Sequence, residues 1–279
     1  MDFQKRILNQ VKPKVRRAFR GIPIWVHDFD HTKAVVALGR QIVKGEKKLI
    51  ESRGWDFDKF SFLVELACWL HDLGRTVETK PTFWGEKFNH AQESEKLARK
   101  VLKDVIPGRL KAGPGIYENN NFINIDSGSA AGMTREDLEL VLQAVLEHNQ
   151  PTPAHPDNLI SRFLQDADRG EGFGWRGMIM VLNYNKVITT GKRIGEAQCR
   201  QAFLAQWPRV IADEKLQKKA IHWLTFQSSW YNGGPALAKN DRHKFSGVKV
   251  CPLYTETAKR IYRQKYLITK KYLEELKTT

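Results

Sequence analysis

The stretch ELACWLHDLGR, residues 65–75, sets the hardest condition this chain must meet in folding. An apolar run at helical spacing ends in His71 and Asp72, followed by Gly74 and Arg75. A carboxylate at a helix C-terminus opposes the negative end of the macrodipole. If buried, it is unfavourable unless a cation or hydrogen-bond donors meet it. From these residues alone two readings stand: a capped helix end, or a pair that holds something. Gly74 is expected to end the helix.

Helical periodicity extends over most of the chain. Residues 31–52 read as one helix, with Val35, Leu38, Ile42, Leu49 and Ile50 on one face. Residues 57–72 follow the same pattern, and 89–108 does so from His90 through Ser94, Leu97, Ala98 and Val101 to a Pro107-Gly108 stop. Thr134 is an N-cap candidate, with Glu136 and Asp137 in the first turn and Leu138, Val141, Leu142 and Val145 behind them. Residues 158–172, helix pairs over 196–229 and a basic helix over 254–277 complete the series, while 173–190 is mixed. Phe3, Ile7, Val11 and Val15 suggest an amphipathic N-terminal helix, with Pro13 against it. Residues 107–133, rich in Gly, Asn, Pro and Ser, read as a long loop or insertion with at most a short strand at 122–125. With neither βαβ alternation nor a repeat, the expected class is all-α.

Composition bounds the environment. A hydrophobic fraction of 41% over 279 residues supports a real core. No window approaches a membrane-spanning helix, and the basic N-terminus lacks the apolar core of a signal peptide. Cys68, Cys199 and Cys251 are too scattered for a disulfide framework, so a cytoplasmic, reducing location is expected. The net charge of +15, with seven Lys/Arg against one Asp in residues 1–20, favours anionic partners or describes a solvated basic surface.

Histidines and aspartates recur at helix ends and on apolar faces: His31, His71-Asp72, His90, His148, and the pair Asp166 and Asp168 in LQDADRG. Each alone has a structural explanation as a hydrogen-bonded core histidine or a cap. Together they are the N/O donors that divalent first-row metals take. Ligands converging from several helices on a bundle interior form a known kind of metal site.

The order His31, His71-Asp72, Asp168 resembles the HD superfamily of metal-dependent phosphohydrolases. HDFDHTKAVVALGRQI is similar to the family's first helix, LACWLHDLGR to its hallmark, NHAQESEKLARKVL and LVLQAVLEHN to the next two, and LQDADRGEGFGWRG to the DADRLDAIGAIG segment of small stand-alone bacterial members. The last helix is also similar to theirs. The resemblance implies an HD-domain helical bundle with an inserted loop and additional C-terminal helices. Its core would span residues 1–190, with an extension over 191–279 packed on it. It further implies His31, His71, Asp72 and Asp168 as ligands of one divalent metal (Mn, Fe, Co, Ni, Mg or Zn). Asp166 becomes a supporting partner or cap. His90 and His148 match positions where some branches hold a second ion, and elsewhere touch phosphate. Asp28 is expected to orient His31 or bind water. The chain departs from the family where Gly170 and Glu171 replace a Leu-Asp pair, and where residues 107–133 separate His90 from His148.

The function implied is hydrolysis of a nucleotide or other phosphate ester or anhydride. Asp72 would take a proton through a spare carboxylate oxygen, and Arg75 and Arg169 would meet the phosphate. Two alternatives stay open: a mixed-valent di-iron oxygenase of the same superfamily, and a non-catalytic basic module binding nucleic acid. The expected partner is an anionic, nucleotide-like small molecule, not a membrane. Trp207, Trp223, Trp230 and Tyr231 are expected in the core and not as a base-stacking surface.

Overall fold

The structure is a computed structural model describing residues 3–21, 27–78, 89–106, 133–150, 157–184, 194–235 and 249–278. The described residues form eleven α-helices, and the chain is all-α as its periodicity predicts. In order they are α1 Phe3–Ala18, α2 Phe29–Gly45, α3 Lys47–Ser52, α4 Phe57–Leu70, α5 His90–Val105, α6 Arg135–Glu147, α7 Leu159–Glu171, α8 Gly174–Tyr184, α9 Glu196–Ala212, α10 Glu214–Asn232 and α11 Glu256–Thr278. A 3-10 helix, Leu73–Val77, follows α4. Two short antiparallel strands, β1 Gly234–Pro235 and β2 Lys249–Val250, are paired just before α11. The expected loop at 107–133 lies almost entirely outside the described residues.

α4 is apolar nearly all round, and a helix of that kind must be central. Phe60, Leu63, Val64, Leu66, Ala67, Cys68 and Leu70 are all fully buried, so the His71-Asp72 pair is delivered to the interior. Glu65 is the polar exception among the buried residues of this helix. Burial works against its charge, but Arg40 of α2 donates to both its oxygens at 2.7 and 2.6 Å and holds its pKa below the usual value. Trp69 Nε1 and Lys12 of α1 lie against the same carboxylate, which thus links three helices. α1 runs through Pro13, which lies on its exposed face, away from buried Ile7, Val11 and Val15.

The expected single helix over 31–52 is two helices. The chain turns at Gly45 and Glu46, and α11 docks into the break. A Cβ on Gly45 would collide with Thr257, and Glu46 Oε1 accepts from the Thr257 backbone N–H at 2.6 Å. Gly74 does not end α4 either. The helix stops at Leu70 and Gly74 sits inside the 3-10 helix, where its missing side chain lets the start of α5 approach. Its N–H donates to Ser94 Oγ at 2.8 Å.

Two hydrophobic clusters organise the rest. The larger joins α1 through α7, and the second joins α8, α9 and α10. α11 belongs to both, placing Ala258, Tyr262 and Tyr266 in the first and Tyr272, Leu273 and Leu276 in the second. Trp207 is buried against Phe203 and Tyr272 in the second cluster, and Trp223, Trp230 and Tyr231 pack at cluster edges.

The start of α11 is fastened by Asp166 of α7. Its carboxylate accepts from the backbone N–H groups of Tyr254 and Thr255 at 3.0 and 2.9 Å and from Thr255 Oγ at 2.7 Å. Burial raises its pKa to about 6, against these donors. Asp166→Ala leaves three donors without this acceptor, two of them buried. The expected loss is about 2–3 kcal/mol of stability, measured by chemical denaturation. Unchanged stability would remove Asp166 from this role.

Candidate metal centre

Five helix ends converge behind α4. Asp28 caps α2, accepting from the His31 backbone N–H at 2.7 Å, and so fixes His31 in the first turn. The expectation that Asp28 orients His31 is met through the backbone. Asn89 caps α5 in the same manner, accepting from the Ala91 N–H, and sets His90 as its first residue. His71 and His148 are the C-terminal caps of α4 and α6. Asp168 comes from the last turns of α7.

Both C-terminal histidines resolve the dilemma of the helix end in one way. The last carbonyls of a helix lack intrahelical donors. His71 Nδ1 donates to the carbonyl of Cys68 at 2.8 Å, and His148 Nδ1 to that of Val145 at 2.6 Å. A proton on Nδ1 leaves Nε2 with a free lone pair, the tautomer a metal ligand needs. Each residue is therefore both a cap and a potential ligand.

The free nitrogens meet around Asp72, which is 2% exposed. On one side, Asp72 Oδ2 lies 3.4 Å from His31 Nε2 and 3.5 Å from His71 Nε2. The two Nε2 atoms are 3.3 Å apart, and Asp168 Oδ1 is 3.2 and 3.7 Å from them. On the other side, Asp72 Oδ1 lies 3.5 Å from His148 Nε2 and 3.9 Å from His90 Nε2, themselves 3.2 Å apart. Metal–nitrogen bonds of about 2.1 Å give ligand–ligand edges of about 3.0–3.4 Å. The spacings fit that range or slightly exceed it, and the chemistry of the donor set fits a divalent cation. His31, His71 and Asp168 form one group of possible ligands, and Asp72, His90 and His148 another. The 58 positions between His90 and His148 do not keep them apart.

The electrostatics suit cation binding. Burial disfavours charge on His31, but Asp168, Asp72 and Glu171 outweigh it and raise its pKa to about 9. Burial lowers His71 to about 4, against the same aspartates. Burial, with Arg75 and His148 adding to it, also holds His90 well below its ordinary value. For Asp72 burial alone would raise the pKa, but the imidazoles of His71 and His27 hold it well below the usual carboxylate range.

Arg75 is beside the site: Nε is 3.8 Å from Asp72 Oδ1, buried and without a hydrogen-bond partner among the described residues, while Nη1 donates to Glu78 at 3.0 Å. Arg169 turns elsewhere. Its guanidinium donates to Gln165 Oε1 and to the carbonyls of Gln150 and Cys251, and lies over the Tyr254 ring, which is the position of a clamp on the segment entering α11. Asp166 caps that same segment and does not join the cluster. Glu171 stands 4.0 Å from His31 Nδ1 and is paired with Arg176 at 2.6 Å. Gly170 makes room for Tyr262 of α11, whose ring occupies the place a side chain there would need.

Sequence reading missed His27. Its Nδ1 is 2.8 Å from Asp72 Oδ2, and its ring stands edge-on to His31 at 5.1 Å. The one available signal was its position four before His31. It lies ahead of the Asp28 cap, where helical periodicity says nothing about direction.

A helical bundle with histidines and aspartates gathered at its helix ends defines a class of metal-site proteins. The HD-domain family profile matches residues 28–171, more than half of the chain, and the chain belongs to that family. Several solved structures are similar. A protein from an uncultured Thermotogales bacterium described as an HD superfamily hydrolase is 21% identical, with 74% of this chain and 91% of that chain covered and a TM-score of 0.41. YpgQ of Bacillus subtilis, solved in complex with ADP, is 15% identical over 99% and 96% of the two chains, with a TM-score of 0.44. A protein from Lactobacillus plantarum is 14% identical over 98% and 95%, with a TM-score of 0.48. A search of curated proteins returns no match.

A cation entering the His31 side must displace the proton that His31 carries below about pH 9. Metal affinity of the metal-free protein is therefore expected to rise between pH 7 and 9, with release of about one proton per ion bound there. Calorimetry in buffers of different ionisation enthalpy measures this. A flat profile would contradict the arrangement.

Proposed function

We propose that this chain is a metal-dependent phosphohydrolase acting on a nucleotide or another phosphate ester or anhydride, with two cation positions that share Asp72. The observation that carries the reading is the division of one buried carboxylate. Oδ2 faces His31 and His71, and Oδ1 faces His90 and His148. A divalent cation held there supplies a Lewis acid that polarises a phosphoryl oxygen and acidifies water.

The protein's own groups then have distinct tasks. His31, His71 and Asp168 hold one position, His90 and His148 the other, and Asp72 both. The oxygen expected to be spare on Asp72 faces the second histidine pair, so Asp72 is read as a shared holder and not as the proton acceptor. Arg75 is the phosphate contact, because its buried Nε has no hydrogen-bond partner among the described residues and lies next to the site. A guanidinium so placed offers planar, charge-assisted donors to phosphate oxygens. The net charge of +15 suits an anionic substrate. Arg169 has no part in this reading.

Phosphate release from a panel of nucleotides and simple phosphoesters with Mn²⁺ is the direct test. The expected result is release from at least one substrate, abolished in Asp72→Ala; no release from any phosphoester would reject the hydrolase. In the same assay Arg75→Ala should raise KM by about 10–100-fold, the equivalent of a hydrogen bond to a charged group of about 1.5–3 kcal/mol. Arg75→Lys should recover only part of the loss, and an unchanged KM would remove Arg75 from the phosphate contact.

The same shared carboxylate favours one alternative. Two adjacent N/O donor groups also suit a pair of iron ions, the arrangement a di-iron oxygenase needs. Native protein containing two irons and consuming oxygen with an organic substrate, without releasing phosphate, would establish that reading instead.

A further inference from the structure

The shortest contact that Asp72 makes with the surrounding histidines is to none of the four expected as ligands. It is the 2.8 Å contact between Oδ2 and His27 Nδ1. Among the histidines, those expected as ligands stand 3.4 to 3.9 Å from Asp72 oxygens. Those separations are in or somewhat beyond the range for two atoms bound to one ion, and longer than a charge-assisted hydrogen bond. The His27 contact falls in the range of a charge-assisted hydrogen bond, shorter than the edge of a coordination shell. His27 can be grouped with His31 and Asp72 as three possible ligands, but its spacing is that of a donor to the carboxylate.

We infer that His27 is the positioning residue of the centre: its Nδ1–H holds Asp72 Oδ2 and thereby fixes how the carboxylate is divided between the two histidine groups. This inference rests on the reading of Asp72 as a shared ligand. A carboxylate has one rotation about its bond to Cβ that matters here, and Asp72 follows directly on the end of α4, without a side-chain cap bond of its own. Of the side-chain contacts that could fix that rotation, the one to His27 is the shortest; the others are at 3.4 Å or more. One lone pair of Oδ2 accepts from His27, which leaves the other directed toward His31 and His71. Oδ1 is then turned to His148 and His90. His27 is itself placed by the chain, because the next residue is the Asp28 cap of α2, and its ring packs edge-on to His31. Groups of this kind, standing behind the ligands, commonly set metal affinity by 10–100-fold.

The test compares His27→Ala, His27→Leu and His27→Asn with wild type. The Asn side-chain amide nitrogen occupies the place of Nδ1 and keeps an N–H donor; Leu fills space without one. Binding of Mn²⁺ and Co²⁺ is measured by calorimetry and by the visible absorption of the Co²⁺ form, with thermal unfolding of the metal-free proteins alongside. The inference expects His27→Ala and His27→Leu to bind about 10–100-fold more weakly with a shifted Co²⁺ spectrum, and His27→Asn to restore both. Wild-type affinity and spectrum in the Ala and Leu variants would overturn it. Equal weakening in all three would also overturn it, because the imidazole would then be a ligand. If wild type binds both ions and only the His27 variants behave otherwise than expected, this inference fails alone; if wild type binds no metal, it fails together with the proposed function.

Discussion

The structure depends on one buried carboxylate. Asp72 is 2% exposed at the end of the most apolar of the described helices, where its charge is unfavourable both to burial and to the helix dipole. The fold answers by surrounding it with imidazole nitrogens from the starts of α2 and α5 and the ends of α4 and α6. The convergence makes use of what helix ends already require. The terminal carbonyls of α4 and α6 need donors, and His71 and His148 supply them through Nδ1, which turns Nε2 inward. The N-terminal caps Asp28 and Asn89 set His31 and His90 at the first turns of their helices. Helix capping and the orientation of the inward histidine nitrogens are the same set of hydrogen bonds.

The C-terminal helices are tied to this centre through α7. Asp166 and Asp168 are two residues apart, about 200° around a helix, so they face opposite sides. Asp168 looks toward His31 and His71, while Asp166 looks toward the start of α11. Gly170, a departure from the family pattern, is explained from the same side, since Tyr262 of α11 packs where a side chain would stand. Glu171, the neighbouring departure, still carries a carboxylate, and it faces His31 at 4.0 Å. The α11 docking and the site geometry are therefore coupled through α7, and α11 also meets the end of α2 at Gly45 and Glu46.

Much of this was legible in the sequence, and the reasons differ by element. The amphipathic helices show in their apolar spacing, and Thr134 marks the start of α6 so clearly that a full capping box with Asp137 follows. The break between α2 and α3 was not legible, because apolar spacing continues across Gly45 and the cause is a contact with Thr257, more than two hundred residues away. Gly74 reads as a helix stop for the same lack of tertiary information, although its task is to admit the start of α5. Six of the gathered donors were identifiable from residue type, helix-end position and family resemblance. His27 was not, because it precedes its helix and only the folded chain brings it to Asp72. Arg169 looked like a phosphate contact from its place beside Asp168, but adjacent residues on a helix point about 100° apart, and its described guanidinium contacts are to Gln165, Gln150, Cys251 and the Tyr254 ring.

The central claim is that Asp72 is shared by two donor groups and not committed to one. The most direct measurement is the metal content per chain, by mass spectrometry of the purified protein saturated with Mn²⁺, for wild type and for the His90→Ala/His148→Ala double variant. The account predicts two ions per chain in the wild type and one in the double variant. A single ion in both proteins would contradict it.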